Sequence, residues 1–148
     1  MTGYRIGYIG APEWICNACS KIQGQFTSGA SSISQRAALA AVSHNPDVVL
    51  PMKEAFLERR NFMLNELRNI KGIKINEPKG AFYLFPDVSG LFGQHFDGKT
   101  INNADDLCLF LLEEAKVALV TGNAFGSPNC IRISYAASME QLKEAVYR

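Results

Sequence analysis

The chain has 148 residues, with 15 Lys and Arg against 14 Asp and Glu, so its net charge is +1; 47% of the residues are hydrophobic and 20% are charged. That is the composition of an ordinary globular chain of one-domain length, too short for a complete enzyme of any large two-domain class. Balanced charge excludes a basic nucleic-acid footprint or a polybasic membrane patch, and apolar runs of six residues, at 37–42 and 107–112, fall short of the roughly 20 a membrane helix needs.

Residues 4–9 read as a short strand closed by Gly10. Pro12 suits the first position of a helix, and Glu13 favours the same start through the helix dipole. That helix runs to about Gln23, with Ile15, Ala18, Cys19 and Ile22 on one face. After a turn rich in Thr, Ser and Gly at 25–31, Ser32 with Gln35 reads as a capping box for a small-residue helix to Ser43. His44-Asn45-Pro46 breaks the chain. A long helix follows, starting between 46 and 51 and ending at Lys71-Gly72. Val49, Met52, Phe56, Met63, Leu67 and Ile70 form its apolar stripe, and Glu58-Arg59-Arg60-Asn61 a solvated face.

Beyond Gly72 the period shortens. Residues 73–75 alternate, Pro78-Lys79-Gly80 is a turn, residues 81–85 form a strand closed by Pro86, and the polar, glycine-rich stretch 87–103 reads as a surface excursion. Asn103 or Asp105 caps a helix over 106–116. Strands are expected at 117–120 and 131–135, a loop at 121–129, and a terminal helix behind the capping box of Ser138 and Gln141. The alternation of periods indicates a mixed α/β to α+β architecture. The break near 44–51 sets residues 1–45, a strand and two helices without a strand partner, apart from an α+β layer at 46–148.

Four places could carry chemistry. Arg5 lies in an apolar, glycine-bearing strand; it either reaches solvent at a sheet edge or holds an anion, since an unpaired buried charge is costly. Arg132 alternates with Ile131 and Ile133, which puts it on the face away from the core, where a planar fork suits a carboxylate or simply faces solvent. Gly122-Asn123-Ala124-Phe125-Gly126-Ser127 fits no phosphate-loop or dinucleotide spacing and reads as a connection. Cys16-Asn17-Ala18-Cys19 lacks a second ligand pair for zinc and lies inside a helix rather than at its start, so two ordinary helix cysteines are expected rather than a redox pair. His44 and His95 read as surface residues. Residues 1–11 carry no secretory pattern, and four cysteines make no disulfide framework; the expectation is a reducing, cytoplasmic compartment.

Together these places resemble one family. Met1-Thr2-Gly3-Tyr4-Arg5-Ile6-Gly7-Tyr8 is similar to the segment following the Schiff-base lysine in class I/II aminotransferases, pyridoxal-phosphate enzymes of fold type I. Their signature runs lysine, two variable residues, a small residue, then apolar, any, glycine, non-valine, arginine, apolar, glycine; Met1 to Gly7 match its second half throughout. Lys21-Ile22-Gln23, Thr27-Ser28, Ser32-Ile33-Ser34-Gln35, Arg59-Arg60, Gly80-Ala81-Phe82-Tyr83-Leu84-Phe85-Pro86, Ala124-Phe125-Gly126 and Ile131-Arg132-Ile133-Ser134-Tyr135-Ala136 follow in family order. The 80–86 stretch with its excursion, and Asp105-Asp106-Leu107-Cys108, resemble the aspartate aminotransferase branch. Thr121 departs from the pattern, standing where proline commonly precedes the glycine, which implies a local loop effect.

The resemblance implies a C-terminal small domain at 46–148, a short antiparallel or mixed sheet with helices packed on it and entered through a long helix. Residues 1–45 would be the last strand and helices of the large cofactor-binding domain. It implies amino-group transfer between an amino acid, aspartate foremost, and a 2-oxo acid, by a homodimer holding pyridoxal 5'-phosphate. Arg5 would pair with the cofactor phosphate, and Ser28, beside Thr27, would lie in the loop approaching the partner subunit's cofactor site. Arg132 would clamp the substrate α-carboxylate, with Phe82 and Tyr83 as walls of the interdomain cleft. The lysine is expected four residues before Met1. Transamination uses it as covalent anchor and as base, so no catalytic residue and no metal is assigned here, and the chain alone is expected to hold no cofactor and to be inactive. The alternative is a noncatalytic ligand-binding or interaction domain that keeps the small-domain fold. Neither reading involves nucleic acid or membrane.

Overall fold

Pro12, with φ of −53°, stands at the N-cap of helix α1 (Glu13–Phe26), and Glu13 occupies the first turn. Helix α2 (Ser32–Ser43) follows, but its N-cap is Ser31 and no side-chain cap bond forms. The expected box at Ser32 fails because the Gln35 side chain turns to the Ala30 carbonyl, 2.8 Å away. Asn45 accepts from the Asp47 amide at 3.0 Å and caps a 3₁₀ turn, Pro46–Val49. These elements belong to the first of two units, Met1–Leu50; the second is Pro51–Arg148. The computed structural model describes residues 1–96 and 98–148.

Residues 4–9 do not form the predicted strand. A strand needs a neighbour for its backbone groups, and among the described residues none pairs with this segment. Arg5 instead adopts φ of 53°, in the left-handed region, within a turn closed by its amide on the Thr2 carbonyl at 3.2 Å. The Ser34 hydroxyl donates to the Tyr4 carbonyl at 2.8 Å and ties this segment to α2. No described residue of Met1–Leu50 is buried. Tyr8, Trp14, Phe26 and Ile33 are 87%, 73%, 84% and 75% exposed.

In the second unit, helix α3 (Leu50–Arg68) buries Met63, Leu64 and Leu67. Leu64 thus joins the stripe, while Val49, Met52 and Ile70 stay exposed. Arg59 and Arg60 are half-buried rather than solvated, because each finds a partner for its head and packing for its stem. The Arg59 guanidinium carbon lies 5.4 Å from the Phe56 ring centre. Arg60 donates to the Pro78 carbonyl at 3.0 Å and pairs with Glu77 at 3.4 Å.

Strands β1 (Tyr83–Leu84), β4 (Val120–Thr121) and β5 (Ile131–Ser134) make an antiparallel sheet in the order β1-β5-β4. All are shorter than the alternation suggested, and residues 73–75 contribute a single bridge, Lys74 to Asp87. Strands β2 (His95–Phe96) and β3 (Lys99–Thr100) pair with each other. The 87–103 stretch is more than a surface excursion, since Val88 and Ile101 anchor it at 0% and 1% exposure; Asp97 lies outside the described residues. Helix α4 (Ala104–Phe110), capped by the Asn103 side chain on the Asp106 amide, runs into a π turn, Leu111–Ala115, that ends at Lys116 with φ of 59°. Helix α5 (Met139–Tyr147) starts at the expected capping box of Ser138 and Gln141.

The core joins Met63, Leu64 and Leu67 of α3 to Leu84, Ile131 and Ile133 of the sheet and Leu142 of α5. Tyr135, 2% exposed, is tied by its hydroxyl to the Ala81 carbonyl at 3.0 Å, fixing the approach to β1. Burial pushes its phenol pKa above the ordinary value. Among the described residues no helix is long and apolar enough to cross a membrane.

Candidate functional site

Strand β5 sends Ile131 and Ile133 into the core, so Arg132 and Ser134 take the other face. Tyr83 pairs with Ser134 in the register of β1 and β5, which makes it the diagonal neighbour of Arg132 on that face. The Arg132 guanidinium carbon lies 4.7 Å from the centre of the Tyr83 ring and 4.6 Å from that of Phe125. Phe85 meets Phe125 edge-on, with centroids 5.9 Å apart. Among the described residues no carboxylate pairs with Arg132. A guanidinium stacked on rings keeps its in-plane N–H donors free, so the arrangement presents an unpaired cationic fork suited to a carboxylate.

Phe125 reaches Arg132 on a tightly specified loop. After β4 the chain makes a 3₁₀ turn, Gly122–Phe125, whose cap is the Thr121 side chain accepting from the Asn123 amide at 3.3 Å. Thr121 therefore supplies a local cap. Asn123 donates through Nδ2 to Asp105 Oδ2 at 2.6 Å and ties the turn to the start of α4. Gly122 donates to the Cys130 carbonyl at 2.7 Å and accepts from the Ser127 amide at 2.9 Å. A Cβ there would stand 2.1 Å from the Ser127 oxygen and 2.4 Å from the Cys130 oxygen, so backbone packing excludes any side chain. Spacing alone makes 122–127 a plain connection, and the signal for this assembly is a phenylalanine just before a glycine in a polar loop.

Arg5 and Ser28 come together in the first unit. Both line a concavity of about 770 Å³ with Gly7, Gln23, Gly24 and Gly29, and Ser28, like Arg5, has positive φ, at 62°. Arg5 Nη1 donates to the Thr2 carbonyl at 3.2 Å, and among the described residues its guanidinium has no ion-pair partner. A cation and a hydroxyl on a glycine-rich wall fit a phosphate group. No lysine and no carboxylate lies among the residues lining the concavity, so the wall fits the phosphate end of pyridoxal phosphate and offers nothing for its ring nitrogen or aldehyde.

The remaining candidates are structural. Cys16 donates to the Ala11 carbonyl at 3.3 Å and Cys19 is exposed; all four described cysteines are unpaired. Among the described residues no group of His, Cys, Asp and Glu could hold a metal. Burial raises the pKa of Cys108 and Cys130, with Asp105 and Asp87 respectively adding to it, which favours the unreactive thiols. His44 and His95 are exposed, His95 bonding Thr100 Oγ1 at 2.8 Å.

A family model, aminotransferase class I and II, matches residues 1–148. The chain belongs to that family. This aminotransferase chain is 53% identical over 152 aligned residues to a bifunctional aspartate aminotransferase and glutamate/aspartate-prephenate aminotransferase of Petunia hybrida, covering 100% of this chain and 32% of the relative. It is 49% identical to an aspartate aminotransferase of Pinus pinaster, covering 99% and 30%. The crystal structure of the aspartate aminotransferase from Rhizobium meliloti superposes with a TM-score of 0.81 at 43% identity, covering 99% of this chain and 37% of that one. The fold is that of fold type I aminotransferases, and the chain spans about a third of the length of the curated relatives it matches.

Proposed function

We propose that this chain carries the substrate-carboxylate and cofactor-phosphate contacts of a pyridoxal-phosphate-dependent aminotransferase that moves an amino group between an amino acid of the aspartate class and a 2-oxo acid. The observation that carries the reading is Arg132, a strand-held cation flanked by Tyr83 and Phe125. Residues 46–148 act as the small domain bearing Arg132, and residues 1–45 as closing elements of the large domain. There Arg5 takes the phosphate, and Ser28 belongs to the loop that approaches the cofactor site of the other subunit. The working form is a homodimer in a reducing cytoplasm, a reading supported by the unpaired cysteines.

Pyridoxal phosphate, when bound, supplies the sink for the electron pair released at the substrate Cα. The chain's own residues bind and orient. Arg132 fixes the carboxylate by two parallel N–H donors, which sets the direction of the Cα–H bond. Arg5 neutralises the phosphate and holds that end in place. Moving the Cα proton needs a base at that atom, and no lysine lines the concavity of Arg5 and Ser28. The pure 148-residue chain, given pyridoxal phosphate, aspartate and 2-oxoglutarate, is therefore expected to show no transamination, while aspartate alone shifts the Arg132 Nε–H resonance in nitrogen–proton NMR and the Arg132→Leu variant shows no saturable binding. Turnover by the chain, or equal aspartate binding by Arg132→Leu, would overturn the reading.

A further inference from the structure

The stacking of Arg132 extends the functional reading to residues around it. An arginine on a strand has a long flexible stem, and left alone its head samples solvent or collapses onto the nearest carboxylate. Here Arg132 is half-buried and its head lies over two rings. Tyr83 reaches the head from β1 by cross-strand geometry, and Phe125 reaches it from the loop after β4, each ring centre within 5 Å of the guanidinium carbon, at 4.7 and 4.6 Å. The acid on the adjoining helix start, Asp105, is taken by Asn123 at 2.6 Å and makes no ion pair with Arg132 among the described residues. This contact anchors the loop that carries Phe125 to the start of α4.

We infer that Tyr83 and Phe125 are positioning residues that hold the Arg132 fork open for a carboxylate, and that the Asn123–Asp105 bond sets the Phe125 ring. This rests on the reading of Arg132 as the carboxylate contact. The physical gain is preorganisation. The guanidinium carbon lies over the faces of both rings, which attract its charge, and among the described residues no acceptor takes its donors, which stay available to the ligand. Side-chain freedom that a bare arginine would lose on binding is already lost in the free protein. Aromatic carbon offers no in-plane acceptor, so the rings restrain the head without using its hydrogen bonds.

The test uses the 148-residue chain and L-aspartate as probe, followed at the Arg132 Nε–H resonance. Without ligand, ring currents are expected to move the Arg132 Nε–H and Hδ signals upfield of those of Arg68 and Arg148. Tyr83→Leu and Phe125→Leu keep apolar bulk but lose the ring; each is expected to abolish part of that displacement and to weaken aspartate binding about threefold to tenfold. Tyr83→Phe keeps the ring and restores both. Asn123→Ala leaves both rings in the sequence and is expected to reduce only the Phe125 share. Two results overturn the inference while leaving the reading of Arg132 intact. One is an unshifted Arg132 signal in the wild-type chain, which needs no variant to fold; the other is leucine variants that bind aspartate as the wild type does. A wild-type Arg132 signal that ignores aspartate overturns the functional reading, and the inference with it.

Discussion

Met1–Leu50 and Pro51–Arg148 are built from similar helices and differ in what those helices cover. Helices α1 and α2 bury no residue, and Trp14, Phe26 and Ile33 lie open. In the second unit α3, α4 and α5 each commit residues to one core beneath the sheet. The two arginines inherit this difference. Arg132 is held by rings that neighbouring strands and a capped loop fix in place, whereas Arg5 is held by its own turn through the Thr2 carbonyl. An amphipathic pattern specifies a face, and only a partner for that face makes the side chains on it rigid.

Core truncation is the strongest way to break this comparison. Leu64→Ala, at a site 2% exposed, is expected to cost about 3 kcal/mol in urea unfolding, and Leu39→Ala, at one 55% exposed, less than about 0.5 kcal/mol. Equal losses would mean that burial does not separate the units. Helix caps sharpen it at a smaller scale. Ser138 accepts from the Gln141 amide, so Ser138→Ala should lower stability by about 1 kcal/mol, whereas Ser31 makes no cap bond and Ser31→Ala should change it by no more than a few tenths of that, roughly. The smallest effect is electrostatic. Hydrogen bonds from the Ser89 side chain and backbone, helped by Lys74, hold the Asp87 carboxyl below its usual 3.8. A depressed folded pKa contributes stability that is whole above 3.8 and fades as pH falls through the lower folded value. Unfolding midpoints of Asp87→Asn should therefore lose part of the acid dependence that the parent chain shows below about pH 4.

The helices were legible through their period, and α1 and α5 also through a boundary signal, Pro12 before the one and Ser138 with Gln141 before the other, whereas the box read at Ser32 does not form. Strands were less so. Residues 4–9 alternate as a strand does but have no pairing neighbour among the described residues, and pairing is not a local property. Arg59 and Arg60 looked solvated because their charge was visible; Phe56, which receives Arg59, stands one turn earlier on the same helix, whereas the Pro78 carbonyl, which receives Arg60, lies beyond the helix. The alternation around Arg132 placed it on the outward face of its strand, as the burial of Ile131 and Ile133 shows, whereas Tyr83 came forward only through the family resemblance. What local pattern could not show was that Phe125, seven residues before Arg132, returns to stack on it, since that return depends on Asn123 meeting Asp105 across another element.

Gly122 gives that return an unequal tolerance to change. The Ser127 and Cys130 oxygens leave its α-carbon no room for a substituent, so the path of the loop is written in backbone and admits one residue at this position. Phe125, by contrast, touches Arg132 through a ring face that tyrosine or tryptophan also possesses. Sequence drift in this segment would therefore exchange the visible aromatic freely and stop at the inconspicuous glycine, the reverse of what a search for chemically active side chains would single out.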